Sequence, residues 1–382
     1  MTHPPHLPET TLPPARRLRR RELLQRAAQM GVALPALGAL SAACGGSSAG
    51  SGSSAGTSSA PPTGTAVLLN YDGWMGKDTV AEFAAKFPGA NLKQASLSSI
   101  SSGAIVPAIK ANLSTYDAAL GDEAAVGQGL AADVIQQLDW SKIPNIKNVD
   151  KKFRDAYPHG IPTDYGKTGI GYRSDLVSED ITSWADVWNL AEKYSNKIVF
   201  TDLDRDCIGS ALKYRGHSVN STDQGELDQA LHDLITIKPH LQALKSYNIG
   251  QGLVKGTSVI AMDWDYDIAL AQASNPDIKW VLPSEGASAY LEGFFAVKDT
   301  AHLEVLEAFF DFFLEPKQYG DFVNTTGTAF VSDAATAYIK PAIKNNPALI
   351  VDPATLANVE FENYLGEATA TYTKIWDEFK SA

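Results

Sequence analysis

Short apolar strands alternate with amphipathic helices along the chain that follows residue 65. A strand is predicted over Ala66–Asn70, a helix over Lys77–Phe87 and another strand over Tyr116–Leu120. This alternation is typical of an α/β fold with a parallel sheet. Ligands of such sheets bind beyond the carboxyl ends of the strands, so the loops at 70–74 and 121–123 are candidate binding loops.

The first 44 residues have the features of an export signal rather than of a folded domain. Arg20 and Arg21 begin a segment like the twin-arginine motif of bacterial signals, and an apolar stretch follows over Ala27–Ala43. The segment Leu40–Gly45 resembles a lipoprotein cleavage box, in which Cys44 becomes the lipidated first residue. Cleavage by the general signal peptidase, with Cys44 incidental, is the alternative. Lipidation would hold the folded part at the outer side of the cytoplasmic membrane.

Residues 45–65 are predicted to form a flexible tether, because they are only Gly, Ser, Ala, Thr and Pro. The chain of 382 residues is 44% hydrophobic, enough for two lobes, and has a formal charge of −12. Residues 1–44 carry six arginines and two acids, so the charge of the rest is −16. This balance argues against a nucleic-acid partner and favours a cationic ligand.

A segment over Val259–Asp267 combines aromatic rings with carboxylates. It begins as an apolar strand and ends in Trp264, Asp265, Tyr266 and Asp267, with no basic residue among them. An aromatic face attracts an organic cation through its quadrupole, and a carboxylate pairs with the same cation. An acidic turn beside a core Trp is the alternative interpretation.

A second group of acids follows the predicted strand Ile198–Phe200. Asp202, Asp204 and Asp206 all lie within the six residues after this strand. A solvated helix start fits this pattern, because the helix dipole favours acids there, and so does the wall of a pocket. The sequence leaves both interpretations open.

Several short segments between about Val67 and about Phe379 form a recognisable series. They are Asn70–Tyr71, Ile161–Pro162, Gly166–Tyr172, Thr182–Trp188, Thr201–Asp202, Trp264–Asp267, Pro283–Gly286, Ala308–Phe309 and Phe312–Pro316. In both order and spacing they resemble the extracellular solute-binding proteins of ABC importers, in the spermidine/putrescine-binding branch.

The resemblance implies the periplasmic-binding-protein fold, with two α/β lobes that close on a ligand around a hinge. It implies a first lobe over 66–165 plus about 267–315, and a second over 166–266 plus about 316–382. The implied ligand is a cationic polyamine-like solute, and the implied partner is a membrane permease. We expect a monomer that is not an enzyme and needs no cofactor.

In the resembling branch, aromatic rings enclose the alkyl chain of a polyamine and acids pair with its ammonium groups. Leu203 stands where the branch has an acid, and Phe330 where a smaller residue is usual, so the sequence does not fix which amine binds. The ligand-binding residues implied by position are Tyr71, Asp72, Trp74, Asp122, Glu123, Asp204, Asp206, Trp264, Asp265, Asp267, Tyr290, Glu292 and Asp321.

Three alternatives remain at this stage. An uncharged or zwitterionic solute, such as a sugar or an amino acid, would also suit a site of rings and acids. A Cys-dependent enzyme on the same fold would use Cys207, but acidic neighbours raise the pKa of a thiol and blunt its reactivity. Metal capture is disfavoured, because the His residues show no metal-type spacing and no two Tyr are adjacent.

Overall fold

The computed structural model describes residues 61–97, 102–350 and 358–382, without the side chain of Ser102. The predicted export signal, the lipidation site Cys44 and the tether up to residue 60 lie outside the described residues. None of the described helices has the length and hydropathy that a membrane span requires.

The helices and strands of the described residues are numbered here in chain order. The helices are α1 (Thr79–Lys86), α2 (Ser102–Ala111), α3 (Glu123–Ala131), α4 (Lys151–Ala156), α5 (Trp184–Asn189), α6 (Asp204–Tyr214), α7 (Gln224–Ile237), α8 (Gly250–Lys255), α9 (Asp265–Ser274), α10 (Leu303–Phe313), α11 (Pro316–Thr326), α12 (Pro341–Lys344) and α13 (Thr369–Ser381). The strands are β1 (Gly64–Asn70), β2 (Ala90–Ser96), β3 (Ala118–Gly121), β4 (Ile135–Gln136), β5 (Ile161–Arg173), β6 (Ile198–Thr201), β7 (Leu241–Lys245), β8 (Ile260–Trp264), β9 (Ile278–Val281), β10 (Ala287–Val297), β11 (Ala329–Phe330) and β12 (Val359–Phe361).

The strands form two parallel groups that antiparallel strands connect. In the first group, β1 pairs in parallel with β2 and with β3. In the second, β6 pairs in parallel with β7 and with β8. Between the two groups, β10 runs antiparallel to β3 and β5, and β5 runs antiparallel to β8. The predicted α/β fold is confirmed.

The long strand β5 passes from one group of strands to the other. Its residues up to Lys167 pair with β10, and its residues from Thr168 onward pair with β8 and β9. Glycines allow neighbouring rings to approach this strand closely. A Cβ on Gly166 would lie 2.3 Å from the Tyr290 hydroxyl, and one on Gly169 would lie 2.4 Å from the Trp280 ring. This glycine-containing segment is therefore one continuous strand that pairs with both groups of strands.

Two main groups of buried apolar residues define two lobes. The core of the first lobe surrounds β1 and β3 and includes the aromatic face of α10, with Phe309, Phe310 and Phe313 fully buried. The core of the second lobe surrounds β6 and β8 and includes Trp184 and Leu212. The two lobes meet at the antiparallel pair of strands β5 and β10.

The predicted lobe boundaries differ from this packing in the more C-terminal of the two chain segments assigned to each lobe. Residues 316–349 were predicted in the second lobe, yet Tyr319 and Phe322 of α11 belong to the first core. The rings of both contact Phe313 of α10, because only Leu314 and Glu315 separate the two helices. Ile268 of α9, predicted in the first lobe, packs with residues of β6 and β8. From the C-terminal part of the described chain, α13 packs on the second core.

Candidate functional site

A cavity of about 550 Å³ lies between the two lobes. Loops after β1 and β3 form its first-lobe side, and residues of α6, β8 and α9 form its second-lobe side. The crossing strands β5 and β10 also contribute to its lining. Its place at strand ends agrees with the predicted binding loops. Nine of the predicted residues line it: Tyr71, Asp72, Trp74, Asp122, Asp206, Trp264, Asp267, Tyr290 and Glu292.

Four predicted residues lie elsewhere. Glu123 is partly buried and does not line the cavity, and its carboxyl group accepts a hydrogen bond from the Leu291 amide at 2.9 Å. Asp204 lines a separate, smaller cavity beside Arg205. Asp265 is wholly buried and pairs with Lys167 at 2.6 Å.

Asp321 is the fourth of these residues. It is exposed on α11 and pairs with Lys317, four residues earlier on the same helix, at 2.8 Å. Such a pair is the ordinary arrangement of opposite charges on a helix surface. The cavity lining therefore does not include these four acids, and their contact with the ligand stays a prediction that this geometry does not support.

Four aromatic rings form a continuous surface across the cavity. The Tyr266 ring lies nearly parallel to the Trp264 ring, with centroids 5.9 Å apart, and meets the Trp74 ring edge to face at 5.3 Å. Tyr71 meets Trp74 edge to face at 6.2 Å. Because Trp74 belongs to the first lobe and Trp264 to the second, Tyr266 joins aromatic groups from both lobes.

Glu292 is a buried acid on the first-lobe side of the cavity. Its Oε2 atom has no hydrogen-bond partner among the described residues, and the same is true of Asp164 Oδ2. Burial, reinforced by the charges of Asp164 and Asp122, raises the pKa of Glu292 well above its ordinary value. The Tyr71 hydroxyl and the Trp74 indole N–H partly offset this rise, although the indole N–H does not reach hydrogen-bonding geometry.

A second carboxyl group, that of Asp206, lies on the opposite wall at the start of α6. It accepts hydrogen bonds from the Thr168 hydroxyl and, at 3.4 Å, from the Ser288 hydroxyl. Burial raises the pKa of Asp206 to about 6, and these hydroxyls together with Trp264 limit the rise. Since Thr168 and Ser288 lie on the crossing strands, Asp206 connects the second lobe to the strands between the lobes.

Two further acids lie at the junction of β8 and α9. Asp267 lines the cavity, and its Oδ2 accepts a hydrogen bond from the Gly250 amide at 2.8 Å. Asp263 is fully buried, and its Oδ1 accepts one from the Trp264 amide at 2.8 Å. Burial and the neighbouring Asp267 raise the pKa of Asp263 well above its ordinary value.

The cavity carries acids without bases. Among the described residues that line it there are six carboxylates and no Lys, Arg or His. Such a site would repel a free carboxylate and attract an ammonium group. No group of three or more His, Cys, Asp or Glu side chains within the described ranges could hold a metal ion.

Cys207 has none of the features of a catalytic nucleophile. The residue is fully buried, and its thiol donates to the Thr201 carbonyl oxygen at 3.2 Å. Burial, followed by the charges of Asp206 and Asp204, raises the pKa of the thiol well above its ordinary value. A buried thiol that stays protonated does not act as a nucleophile, so the structure argues against the Cys-dependent enzyme.

Some lining residues are absent from the sequence-based prediction. Tyr266 belongs to the segment Val259–Asp267, and its aromatic ring two residues after Trp264 could have indicated it as a lining residue. Glu362 follows β12, which reaches the cavity by pairing with residues 287–289 of β10. No local pattern predicts a pairing over that distance. The remaining polar or aromatic lining residues that the sequence did not indicate are Thr168, Tyr247, Asn248, Ser288, Thr325 and Thr326.

Comparisons with known proteins agree with this geometry. The family model for bacterial extracellular solute-binding proteins matches residues 78–350. The spermidine/putrescine-binding periplasmic protein of Salmonella typhimurium is 28% identical over 254 residues, which is 65% of this chain and 72% of that protein. The putrescine/cadaverine-binding protein of Pseudomonas aeruginosa is 26% identical over 330 residues, 82% of this chain and 92% of that protein.

A solved structure shows the same fold. The spermidine/putrescine ABC transporter substrate-binding protein of Streptococcus pneumoniae superimposes with a TM-score of 0.71 at 23% identity. The match covers 83% of this chain and 98% of that chain. At this identity the similarity establishes the architecture and leaves the ligand to be argued from the cavity itself.

Proposed function

The chain belongs to the family of bacterial extracellular solute-binding proteins, and from this premise we propose that it captures a cationic, polyamine-like solute for an ABC importer. The observation that carries the proposal is the lining of the cavity, where six carboxylates and several aromatic rings occur without a Lys, Arg or His among the described residues. On this proposal the protein acts as a monomer, releases its solute unchanged to a membrane permease, and needs no cofactor.

Glu292 is the proposed partner of one ammonium group. An ammonium and a carboxylate about 4 Å apart attract each other by about 4 kcal/mol at an effective dielectric constant of 20, before the cost of desolvation is subtracted. Glu292 is already removed from water and its Oε2 has no hydrogen-bond partner within the described part of the chain. An arriving ammonium group would therefore satisfy an oxygen whose desolvation has already occurred during folding.

The aromatic surface is the proposed contact for the alkyl part of the ligand and for its charge. A ring that faces a cation contributes about 0.5–2 kcal/mol, and Trp74, Tyr266 and Trp264 offer adjacent rings. Micromolar affinity requires about 8 kcal/mol. Two carboxylates at about 4 kcal/mol each and two or three rings supply about 9–14 kcal/mol before the desolvation of the ammonium groups is subtracted, which exceeds the requirement for micromolar affinity by a few kcal/mol at most.

A thermal-shift screen tests the proposal directly. Putrescine, cadaverine and spermidine at millimolar concentration are expected to raise the melting temperature, because a ligand that binds only the folded state stabilises it. Maltose and glutamate are expected to have no effect. A shift with the sugar or with a zwitterionic amino acid, and none with any amine, would replace this proposal with the binding of an uncharged or zwitterionic solute.

The Glu292→Gln variant tests the assigned contact. Gln has the shape of a protonated Glu, so the fold is expected to stay intact, while the charge that pairs with the ammonium group is lost. Loss of such a charge pair is expected to weaken binding about ten-fold or more. Isothermal titration calorimetry with the amine that gives the largest thermal shift measures this change.

Asp321→Asn is the matched control for that variant. It also removes one acid, but Asp321 is exposed, pairs with Lys317 and does not line the cavity. We expect its affinity for the amine to equal that of the wild type. Equal losses in Glu292→Gln and Asp321→Asn would show that overall charge, rather than a contact with Glu292, governs binding.

We also infer that Cys44 is lipidated and anchors the mature protein outside the cytoplasmic membrane. The small residues before Cys44 and the Gly/Ser-rich segment after it support this inference. Replacement of Cys44 by Ser is expected to move the protein from the membrane fraction to the soluble fraction. A wild-type protein already found in the soluble fraction would contradict the anchor and leave the proposed ligand unaffected.

A further inference from the structure

One ion pair lies fully inside the protein next to the cavity. Lys167 Nζ lies 2.6 Å from Asp265 Oδ2, with the two side chains 2% and 0% exposed. Every other ion pair of the described residues has at least one partner more than a quarter exposed. The pair therefore differs in kind from the surface ion pairs of this chain.

The pair lies where the crossing strand passes between lobes. Lys167 is the last residue of β5 before its pairing changes, with Ala289 of β10 as its register partner. Thr168 pairs with Trp264, the last residue of β8. In this antiparallel register, Lys167 and Asp265 are the next residues on the two strands, so the ion pair extends the pairing by one step.

The same pair holds the start of α9. Asp265 is the first residue of that helix, and the next two residues, Tyr266 and Asp267, both line the cavity. The Lys167 ammonium also lies 5.3 Å from the centroid of the Tyr165 ring, on its own strand. Lys167 is thus fixed by its strand, and Asp265 is fixed by Lys167.

We propose that Lys167 and Asp265 are positioning residues that hold the first turn of α9 against β5 and thereby direct Tyr266 and Asp267 toward the ligand. Neither residue lines the cavity. This inference rests on the proposed function, and it gives Asp265 a role different from the ligand contact that the sequence indicated.

A pure contribution to stability can be separated from positioning. Apolar residues of similar volume can replace a buried ion pair with little loss of stability, or even a gain, because the desolvation of two charges is avoided. Removal of one partner alone leaves a buried charge unpaired and is destabilising. Paired replacements therefore test the position of α9 without the confounding effect of a lone charge.

The test compares three double variants of the mature protein. Lys167→Met with Asp265→Leu removes the polar pair, and Lys167→Gln with Asp265→Asn keeps a polar pair without charge. Arg215→Met with Asp233→Leu is the matched control, because this ion pair joins α6 to α7 and does not line the cavity. For each variant, the melting temperature, the Kd for putrescine and the near-ultraviolet circular dichroism of the stacked Trp and Tyr rings are measured.

Positioning predicts a distinct pattern across these variants. The apolar variant at 167 and 265 is expected to melt near the wild-type temperature, to bind putrescine about ten-fold or more weakly, and to show an altered near-ultraviolet spectrum. The Gln/Asn variant is expected to keep binding within about three-fold of the wild type, and the control is expected to keep both its Kd and its spectrum.

Wild-type affinity and spectrum in the apolar variant would overturn the inference. Should the apolar variant not fold, the Gln/Asn variant decides, because an altered spectrum in a folded variant that keeps a polar pair would also contradict the role proposed. A wild-type protein that binds no amine would contradict the proposed function instead. The spectrum would still show whether the pair positions Tyr266.

Discussion

At the scale of single residues, Asp265 and Tyr266 are adjacent in the chain but have different environments: Asp265 is buried away from the cavity, and Tyr266 lines it. Asp265 begins α9 and faces Lys167, whereas Tyr266 faces the two indoles. The sequence could indicate that rings and acids meet here. It could not indicate which acid faces inward, because Lys167 is distant in the chain and has no pattern that marks it as a partner.

Replacement of Tyr266 by Ala is expected to weaken amine binding roughly two- to thirty-fold, which corresponds to the loss of one ring worth about 0.5–2 kcal/mol. Titration calorimetry with the preferred amine measures the change. Tyr266→Phe keeps the ring without the hydroxyl and is expected to bind within about two-fold of the wild type. Unchanged affinity in the Ala variant would mean that the ligand does not touch this ring.

At the scale of helices and strands, local patterns predicted the fold well. The predicted strand Ala66–Asn70 lies within β1, and the predicted helical spacing over Lys77–Phe87 contains α1. Ser183, the residue before α5, accepts a hydrogen bond from the Asp186 amide at 3.1 Å, which is the cap that a Ser three residues before an acidic residue favours. These features depend on neighbours within a few residues, which a sequence displays directly.

Features that depend on distant partners could not be predicted in this way. The place of α11 in the first core depends on contacts with α10, and the place of Glu362 depends on the pairing of β12 with β10. Both need knowledge of which surfaces meet after folding. Asp321 is a different case, because Lys317 stands four residues before it and could have been recognised as its partner on one helix face.

At the scale of the whole molecule, the buried acids stay protonated at pH values at which the same acids of the unfolded chain are ionised. Burial raises the pKa of Asp206 to about 6, that of Asp164 to about 7 and that of Glu123 to about 8. The ordinary values are near 4. Between about pH 4 and pH 8 the folded protein therefore binds more protons than the unfolded chain, and its free energy of unfolding falls as the pH rises.

An amine ligand is expected to oppose this trend. Its ammonium groups stay protonated up to about pH 10, as in Lys, while burial raises the pKa of the cavity acids Asp206, to about 6, and Glu292, so that each can pair with an ammonium group only once it has ionised. The melting temperature of the free protein is expected to fall from pH 5 to pH 8, and the increase caused by putrescine is expected to grow. Thermal unfolding at constant ionic strength, with and without putrescine, measures both slopes.

In Glu292→Gln the pH dependence of the putrescine effect is expected to be weaker, because one ionisable partner is gone. A putrescine effect that is constant from pH 5 to pH 8 would contradict pairing of the ligand with acids whose pKa burial raises.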